Sequence, residues 1–296
     1  MNKFISVKEA SLKWNLSRRT VRHYCAQGRV DGAIFKNGSW QIPEDAKKPK
    51  RINEKPKKNH LLEKLREEKS SLRKGGIYHK LQVDLTYNSN HMEGSELSHE
   101  ETRYIFETRT IGLENKALKV DDIIETINHF TAVDRVIDFC NYTLSEAFIK
   151  ELHKILKSGT ADSRLPRFAV GDYKKQPNMV GDFKTTPPRL VGENMKKLID
   201  AYNQKKSHTL EEIIEFHVHF EQIHPFQDGN GRVGRLIAFK ECLKNNIVPF
   251  IILDKDKMFY YNGLDKWDKE RGWLVDTCLH GQDIVKSYLD YFYIPY

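Results

Sequence analysis

The stretch from Lys47 to Asn59, KKPKRINEKPKKN, holds two prolines and no apolar periodicity, so no hydrophobic core can run through it. It reads as a linker between two separately packed parts. A chain of 296 residues, 39% hydrophobic and 30% charged, has material for one large domain or two ordinary ones. The expected boundaries are a small domain over residues 1–47, a basic linker over 48–60 and a larger domain over 61–296.

Charge divides in the same way. Of the net +8, residues 1–60 hold 15 Lys and Arg against 5 Asp and Glu, and the rest of the chain holds 34 against 36. A basic front end on a near-neutral body is either an anion-seeking module or a solvated arm. A mean hydropathy of −0.64, with no apolar run near eighteen residues, argues against a membrane span. The start, Met1 to Lys8, turns polar too soon for a secretory signal, so the expectation is a soluble cytoplasmic protein with no membrane partner. Cys25, Cys140, Cys242 and Cys278 are far apart and form no C-x-x-C pair, which fits reduced, packed thiols.

In the first part, Val7, Ala10, Leu12 and Trp14 predict a short helix over Val7–Trp14, followed by a turn at Asn15-Leu16. Ser17 is a suitable N-cap for a second helix reaching about Gln27 and closed by Gly28. Arg18, Arg19 and Arg22 sit early in that helix, where a recognition helix meets phosphates and base edges. Two short apolar stretches flank Lys36-Asn37-Gly38, a strong hairpin signal. Helix, turn, helix and wing together resemble the excisionase/MerR-type winged helix-turn-helix. The resemblance implies duplex DNA as a partner of residues 1–47, with use of the same module for protein contacts left open.

From Leu61 onward helical patterns dominate, over Leu61–Leu72, Glu100–Glu107, Asp121–Cys140, Glu146–Leu156, Gly192–Tyr202, Leu210–Ile223, Arg232–Asn245 and Gly281–Tyr291. The one expected break is Gln176–Pro188, where two short β-capable stretches surround Gly181-Asp182 and read as a hairpin. The expected fold is mainly α.

The most informative stretch is His224-Pro-Phe-Gln-Asp228-Gly229-Asn230-Gly231-Arg232-Val-Gly-Arg235, set between two apolar helices. A glycine-bounded turn feeding a helix N-terminus presents unpaired backbone N–H groups and favours an anion. Arg232 and Arg235, three apart, share a helix face and can clamp phosphate oxygens. Asp228 supplies a hard oxygen suited to Mg²⁺, which prefers one or two carboxylates with phosphate and water. His224 is the nearby group whose ordinary pKa suits a general base near neutral pH. Phosphate cradle, metal carboxylate, two arginines and a base within a single turn read as a nucleotide-handling site.

The segment fits H-x-F-x-[DE]-G-N-G-R-x-x-R, and on it residues 61–296 resemble the Fic family. Eight specified positions coincide by chance in roughly one window in 10¹⁰ at ordinary residue frequencies, so the match is specific. The resemblance implies a Fic-fold helical bundle that moves AMP from ATP, with Mg²⁺, onto a Ser, Thr or Tyr hydroxyl of a protein, itself included. It implies that His224 takes the hydroxyl proton, Asp228 holds Mg²⁺, Asn230 with the Gly229 and Gly231 backbone binds phosphate, and Arg232 and Arg235 neutralise the leaving pyrophosphate. His217 and His219 stand two apart on a helix and face different ways, so a zinc triad with His224 is not expected, and His217 is read as packing.

Three further elements come with the resemblance. The hairpin about Met179, Val180 and Gly181 matches the flap that holds a target segment by strand addition. Ser89-Asn-His-Met-Glu93-Gly matches the inhibitory pattern [ST]-x-x-x-E-[GN], placing an inhibitory helix near residues 87–95 and pairing Glu93 with Arg235. In some relatives that glutamate also positions water for removing AMP. Tyr260 to Leu264 resembles a segment lining adenine, with Tyr261 as the contact, although Asp268 stands where some relatives have asparagine. The resemblance implies self-association into a homodimer, for which the sequence shows no interface signature. UMP, phosphocholine or phosphate transfer stays open, as does a DNA-binding regulator whose second domain senses nucleotide or modifies its own head.

Overall fold

Ser6 opens the first helix by a reciprocal cap: Glu9 N–H donates to its hydroxyl at 3.3 Å and its own N–H donates to Glu9 Oε2 at 2.7 Å. The computed structural model describes residues 3–26, 28–36, 39–49, 58–112, 117–181 and 183–296, apart from the side chains of Arg19, His23 and Phe183. It divides into two compact units, Met1–Lys57 and Lys58–Tyr296.

The first unit runs β1 (Phe4–Ser6), α1 (Val7–Trp14), α2 (Arg18–Ala26), β2 (Ile34–Lys36) and β3 (Ser39–Pro43). Asn15 stops α1 in the left-handed region, and Ser17 Oγ accepts the Thr20 N–H at 3.1 Å to start α2. The wing pairs Ile34 with Gln41 and Phe35 with Trp40; its expected Asn37-Gly38 turn lies outside the described residues. β1 adds a third, antiparallel strand, Phe4 opposite Pro43. Three residues are too few to show a period of two, which is why the pattern does not predict it. Ala10, Trp14, Val21, Tyr24 and Ile42 form the core, while Leu12, counted in the apolar pattern, points out at 74% exposure.

The second unit contains α3 (His60–Ser70), α4 (Ile77–Met92), α5 (His99–Thr108), α6 (Val120–Phe139), α7 (Glu146–Lys157), the hairpin β4 (Met179–Val180) and β5 (Phe183–Lys184), then α8 (Pro188–Asn203), α9 (Leu210–Ile223), α10 (Asn230–Lys244), α11 (Lys257–Asp265) and α12 (Gly272–Tyr291). Ser98, Ser145 and Thr209 cap α5, α7 and α9. α10 is buried on every side, by Val233, Leu236, Ile237, Phe239, Cys242 and Leu243, and forms the centre against α9, α6 and α7. Full burial of such side chains contributes about 1.5–3 kcal/mol each before entropy. All four cysteines are buried and unpaired, and among the described residues no helix is long and apolar enough to cross a membrane.

Two helices depart from what periodicity predicts. α4 buries Gln82, Asp84, Thr86, Asn88, Ser89 and Asn90 beside the four-residue repeat of Ile77, Leu81 and Leu85, so buried polar groups blur its apolar pattern. α11 exposes Met258 and Phe259 while burying Tyr260, which inverts the usual pattern. α8 starts at Pro188 rather than Gly192 because proline is at home in a first turn, and α12 starts at Gly272 rather than Gly281.

Candidate active site

α9 ends because Pro225 cannot continue it, and His224 becomes its left-handed cap, φ 51° and ψ 63°, with its N–H on Phe220 O at 2.9 Å. For a non-glycine residue that conformation costs about 1–2 kcal/mol, so the surroundings must hold it. They do. Asn230 Oδ1 accepts the Phe226 N–H at 2.8 Å and its Nδ2 donates to Phe226 O at 2.9 Å, closing the turn. The fully buried Phe226 ring stacks on His153 with centroids 3.9 Å apart. His153 Nδ1 accepts the Gly171 N–H at 3.0 Å, so its Nε2 donates to the Asp228 carbonyl at 3.1 Å. Gly229, at φ 81°, caps α10 without a side-chain hydrogen bond, leaving the first N–H groups of that helix facing the turn. The Asn230 amide, expected on phosphate, is spent on the loop instead; its backbone stays at the helix start.

Asp228 does not stand alone. Its Oδ2 accepts from Lys157 at 2.6 Å and from Arg232 at 3.3 Å, and Glu125 pairs with both cations. Asp162 takes Lys157 at 3.1 Å. Burial pushes the Asp228 carboxyl up, but Arg232 and Lys157 outweigh it and hold it near 2, ionised at any working pH. Its side chain keeps 42% exposure, and the hydrogen bonds and ion pairs to Lys157 and Arg232 fall on Oδ2 rather than Oδ1. An ionised, partly exposed carboxylate at a phosphate-type helix start fits Mg²⁺ arriving with a nucleotide. Among the described residues no group of three or more His, Cys, Asp or Glu forms a closed metal cage.

Arg235, on the same face of α10, keeps a buried Nη1 without a hydrogen-bond partner and is otherwise engaged. Its Nη2 donates to Glu93 Oε1 at 2.7 Å and Ser89 O at 3.0 Å, and its Nε to Ser89 Oγ at 3.0 Å. Burial lowers the guanidinium's proton affinity, and Glu93 more than restores it. Ser89 lies in the last turn of α4 and Glu93 caps its end. A Cβ on Gly231 would fall 2.2 Å from Glu93 Oε1, so this approach needs a glycine there. Behind Arg235, His217 is buried with Nε2 2.6 Å from Tyr260 Oη, as expected for packing, and His219 faces Gln222 instead. Burial pushes Glu221, 3.9 Å from His217, up to about 8. Tyr261 is 39% exposed and donates its hydroxyl to Met92 O at 3.1 Å, beside Glu93.

Burial, reinforced by the Lys174 ammonium, pulls the His224 imidazole down to about 4, against the Glu221 carbonyl and the carboxylates of Glu93 and Asp228. It is therefore neutral at pH 7, and its buried Nδ1 has no hydrogen-bond partner. Met179 and Val180 on β4 are exposed next to this loop, and Asn178 Nδ2 ties the hairpin to Phe226 O at 3.2 Å. Gly181 is left-handed, and its turn partner Asp182 lies outside the described residues. The structure thus brings His224, Asp228, the glycines, both arginines, Glu93, Ser89, Tyr261 and the flap residues together.

Arg18 and Arg22 belong to the first unit, where they line a groove of about 690 Å³ with Lys8, Phe35 and Trp40; the Arg19 side chain is not among those described. Sequence reasoning missed Lys157, Glu125, His153 and Lys174. The readable signal was a His and a Lys four apart on the apolar stripe of α7.

Residues 143–241 match the Fic/DOC family. The fold matches a Fic domain containing signaling protein from Bacteroides thetaiotaomicron, TM-score 0.59 at 24% identity, covering 79% of this chain and 91% of that one. The second unit therefore has the Fic fold, a helical bundle with a small antiparallel hairpin. Among curated relatives, Protein adenylyltransferase Fic of Nematostella vectensis is 29% identical over 194 residues, 61% of this chain and 42% of its own. Protein adenylyltransferase fic-1 of Caenorhabditis elegans is 26% identical over 189 residues, 60% of this chain and 35% of its own. The chain spans less than half the length of both.

Proposed function

We propose that this protein is an adenylyltransferase that moves AMP from ATP to a Ser, Thr or Tyr hydroxyl of a protein, itself included, and that Glu93 holds the activity low. The observation that carries the reading is Arg235, a cation in the second turn of α10, already paired with Glu93 at 2.7 Å. His224, neutral at pH 7, takes the acceptor's proton. The hydroxyl oxygen then bonds to the α-phosphorus, the bond to the β-phosphate oxygen breaks, and pyrophosphate leaves. Backbone N–H groups of residues 229–231 receive phosphate oxygens, and Arg232 and Arg235 neutralise the leaving group once Glu93 is displaced. Asp228 is the residue that would hold Mg²⁺, which supplies charge neutralisation on phosphate oxygens when bound. In this reading Tyr261 meets the adenine base, β4 receives the target strand, and in the reverse direction Glu93 orients water.

The test is mass spectrometry of the Glu93→Gly protein incubated with Mg²⁺ and each nucleoside triphosphate. A gain of one AMP from ATP, absent in the Glu93→Gly, His224→Ala protein, is expected. Gain from another triphosphate alone would reassign the donor, and no gain from any would overturn the reading.

A second reading concerns the first unit. The groove beside Arg18 and Arg22, in a helix–helix–wing unit of a strongly basic segment, supports duplex DNA binding by residues 1–47. Retention of a DNA duplex at low salt that falls steeply with added salt, and is lost in Arg18→Ala, Arg22→Ala, is the expected result.

A further inference from the structure

We propose that Lys174 is a positioning residue that ties the β4–β5 flap to the loop carrying His224, and so sets how far a segment laid along β4 stands from the imidazole. The inference rests on the transferase reading above for its functional consequence, but the tie itself is a matter of geometry. The flap pairs only Met179 with Lys184 and Val180 with Phe183. A two-stranded hairpin of that length does not hold itself in water. Something outside it must fix its position.

Lys174 makes the connection from both ends. Its backbone N–H donates to Pro225 O at 2.8 Å, one residue past His224. Its ammonium donates to Asn178 Oδ1 at 2.7 Å, just before β4, and to Thr185 Oγ1 at 2.6 Å, just after β5. Thr185 Oγ1 closes the ring by donating to Asn178, whose carbonyl lies at 2.9 Å and whose Oδ1 at 2.6 Å. Asn178 Nδ2 returns to Phe226 O at 3.2 Å and Gln227 O at 3.4 Å. Both strand ends of the flap are thus gripped by one side chain whose own backbone is stapled beside the imidazole.

The residue type argues for this role. Lys174 is 2% exposed and has no carboxylate partner among the described residues. Burial alone draws its ammonium down to about 8. Burying an ammonium without a counter-ion is unfavourable, and an apolar side chain of similar length would avoid that penalty. What the apolar side chain lacks is a fan of donors that can reach two acceptors eleven and four residues away at once.

The test uses the full chain in the Glu93→Gly background, with and without Lys174→Met. Hydrogen exchange read by mass spectrometry should show residues 177–186 opening about tenfold more in Lys174→Met, with residues 224–235 unchanged. Affinity for ATP should stay within about twofold while AMP incorporation falls about tenfold or more, so that kcat drops at constant KM for ATP. Unchanged flap exchange in folded Lys174→Met protein would overturn the proposal, as would loss of ATP affinity in step with activity. If that variant fails to fold, Thr185→Val, which deletes one acceptor, should shift exchange and incorporation in the same direction by a smaller factor; no shift overturns the tie. Absence of AMP transfer in the Glu93→Gly parent would overturn the transferase reading alone, because the exchange result still decides the tie.

Discussion

Arg235 Nη2 lies 2.7 Å from Glu93 Oε1, so the second arginine of α10 already carries an anion supplied by the end of α4. Ser89 adds two more acceptors to the same guanidinium. A γ-phosphate taking the place of Glu93 on Arg235 displaces one charge-assisted hydrogen bond to a carboxylate, while the buried Nη1 has no partner to displace. Such a bond contributes about 1.5–3 kcal/mol, equivalent to roughly 10–100-fold in occupancy. Glu93→Gly is therefore expected to raise AMP incorporation from labelled ATP by about one to two orders of magnitude. Incorporation equal to that of the parent would remove the inhibitory role.

His224→Ala is expected to lower incorporation by about 10²–10⁴ in the Glu93→Gly background. The rising limb of kcat/KM against pH should fall near 4, since burial and Lys174 lower the imidazole in the free protein. The rate should then show no step from this group between pH 6 and 8. A limb centred near 6.5 would mean that the imidazole is solvated in the working enzyme.

Lys157 is 3% exposed and bridges Glu125, Asp162 and Asp228. Lys157→Met removes the ion pair to Asp162 and leaves Glu125 and Asp228 to Arg232 alone. Breaking a buried pair costs about 3–5 kcal/mol, and the lower end applies here because the Asp228 side chain is 42% exposed. Urea unfolding at pH 7 should show a loss of about 3 kcal/mol; a loss below about 0.5 kcal/mol would mark the cluster as a solvated surface network. Asp228's own contribution has a defined pH window. Its folded pKa is depressed to about 2, so that contribution is complete above the ordinary carboxylate value and disappears as pH falls towards 2.

Glu221 gives the opposite slope. Its folded pKa is raised to about 8, so the folded chain binds the extra proton between the ordinary carboxylate value and that point. Stability from this group must decline as pH rises across that interval. Glu221→Gln is expected to flatten the decline, giving melting temperatures at pH 5 and pH 8 closer together than in the parent. An identical gap in both proteins would show that Glu221 is ionised when folded.

Much of the second unit was legible in its residues. α9 is predicted residue for residue, and α7 and α10 nearly so, because each carries a regular apolar pattern with clear end signals. The turn between α9 and α10 announces itself through Pro225, Gly229 and Gly231. What could not be read is the part built from buried polar groups. α4 is not among the predicted helices although Ile77, Leu81 and Leu85 repeat every four residues, and only the motif at Ser89 and Glu93 points to the contact with Arg235. Glu125 and Lys157 come from α6 and α7, 107 and 75 residues from Arg232, so no local pattern links them to it. Asn230 shows the converse limit. Its residue type fits a phosphate ligand, and only the fold reveals that both amide atoms are occupied by Phe226.

His224 is at once the left-handed cap that ends α9 and the group expected to receive the proton. Helix length and imidazole placement therefore share one degree of freedom. One more helical residue would swing the ring away from the turn; one fewer would draw it back along the axis. Chains built on this plan can vary the body of α9 freely, but insertions or deletions between Phe220 and Pro225 should be barred by geometry alone.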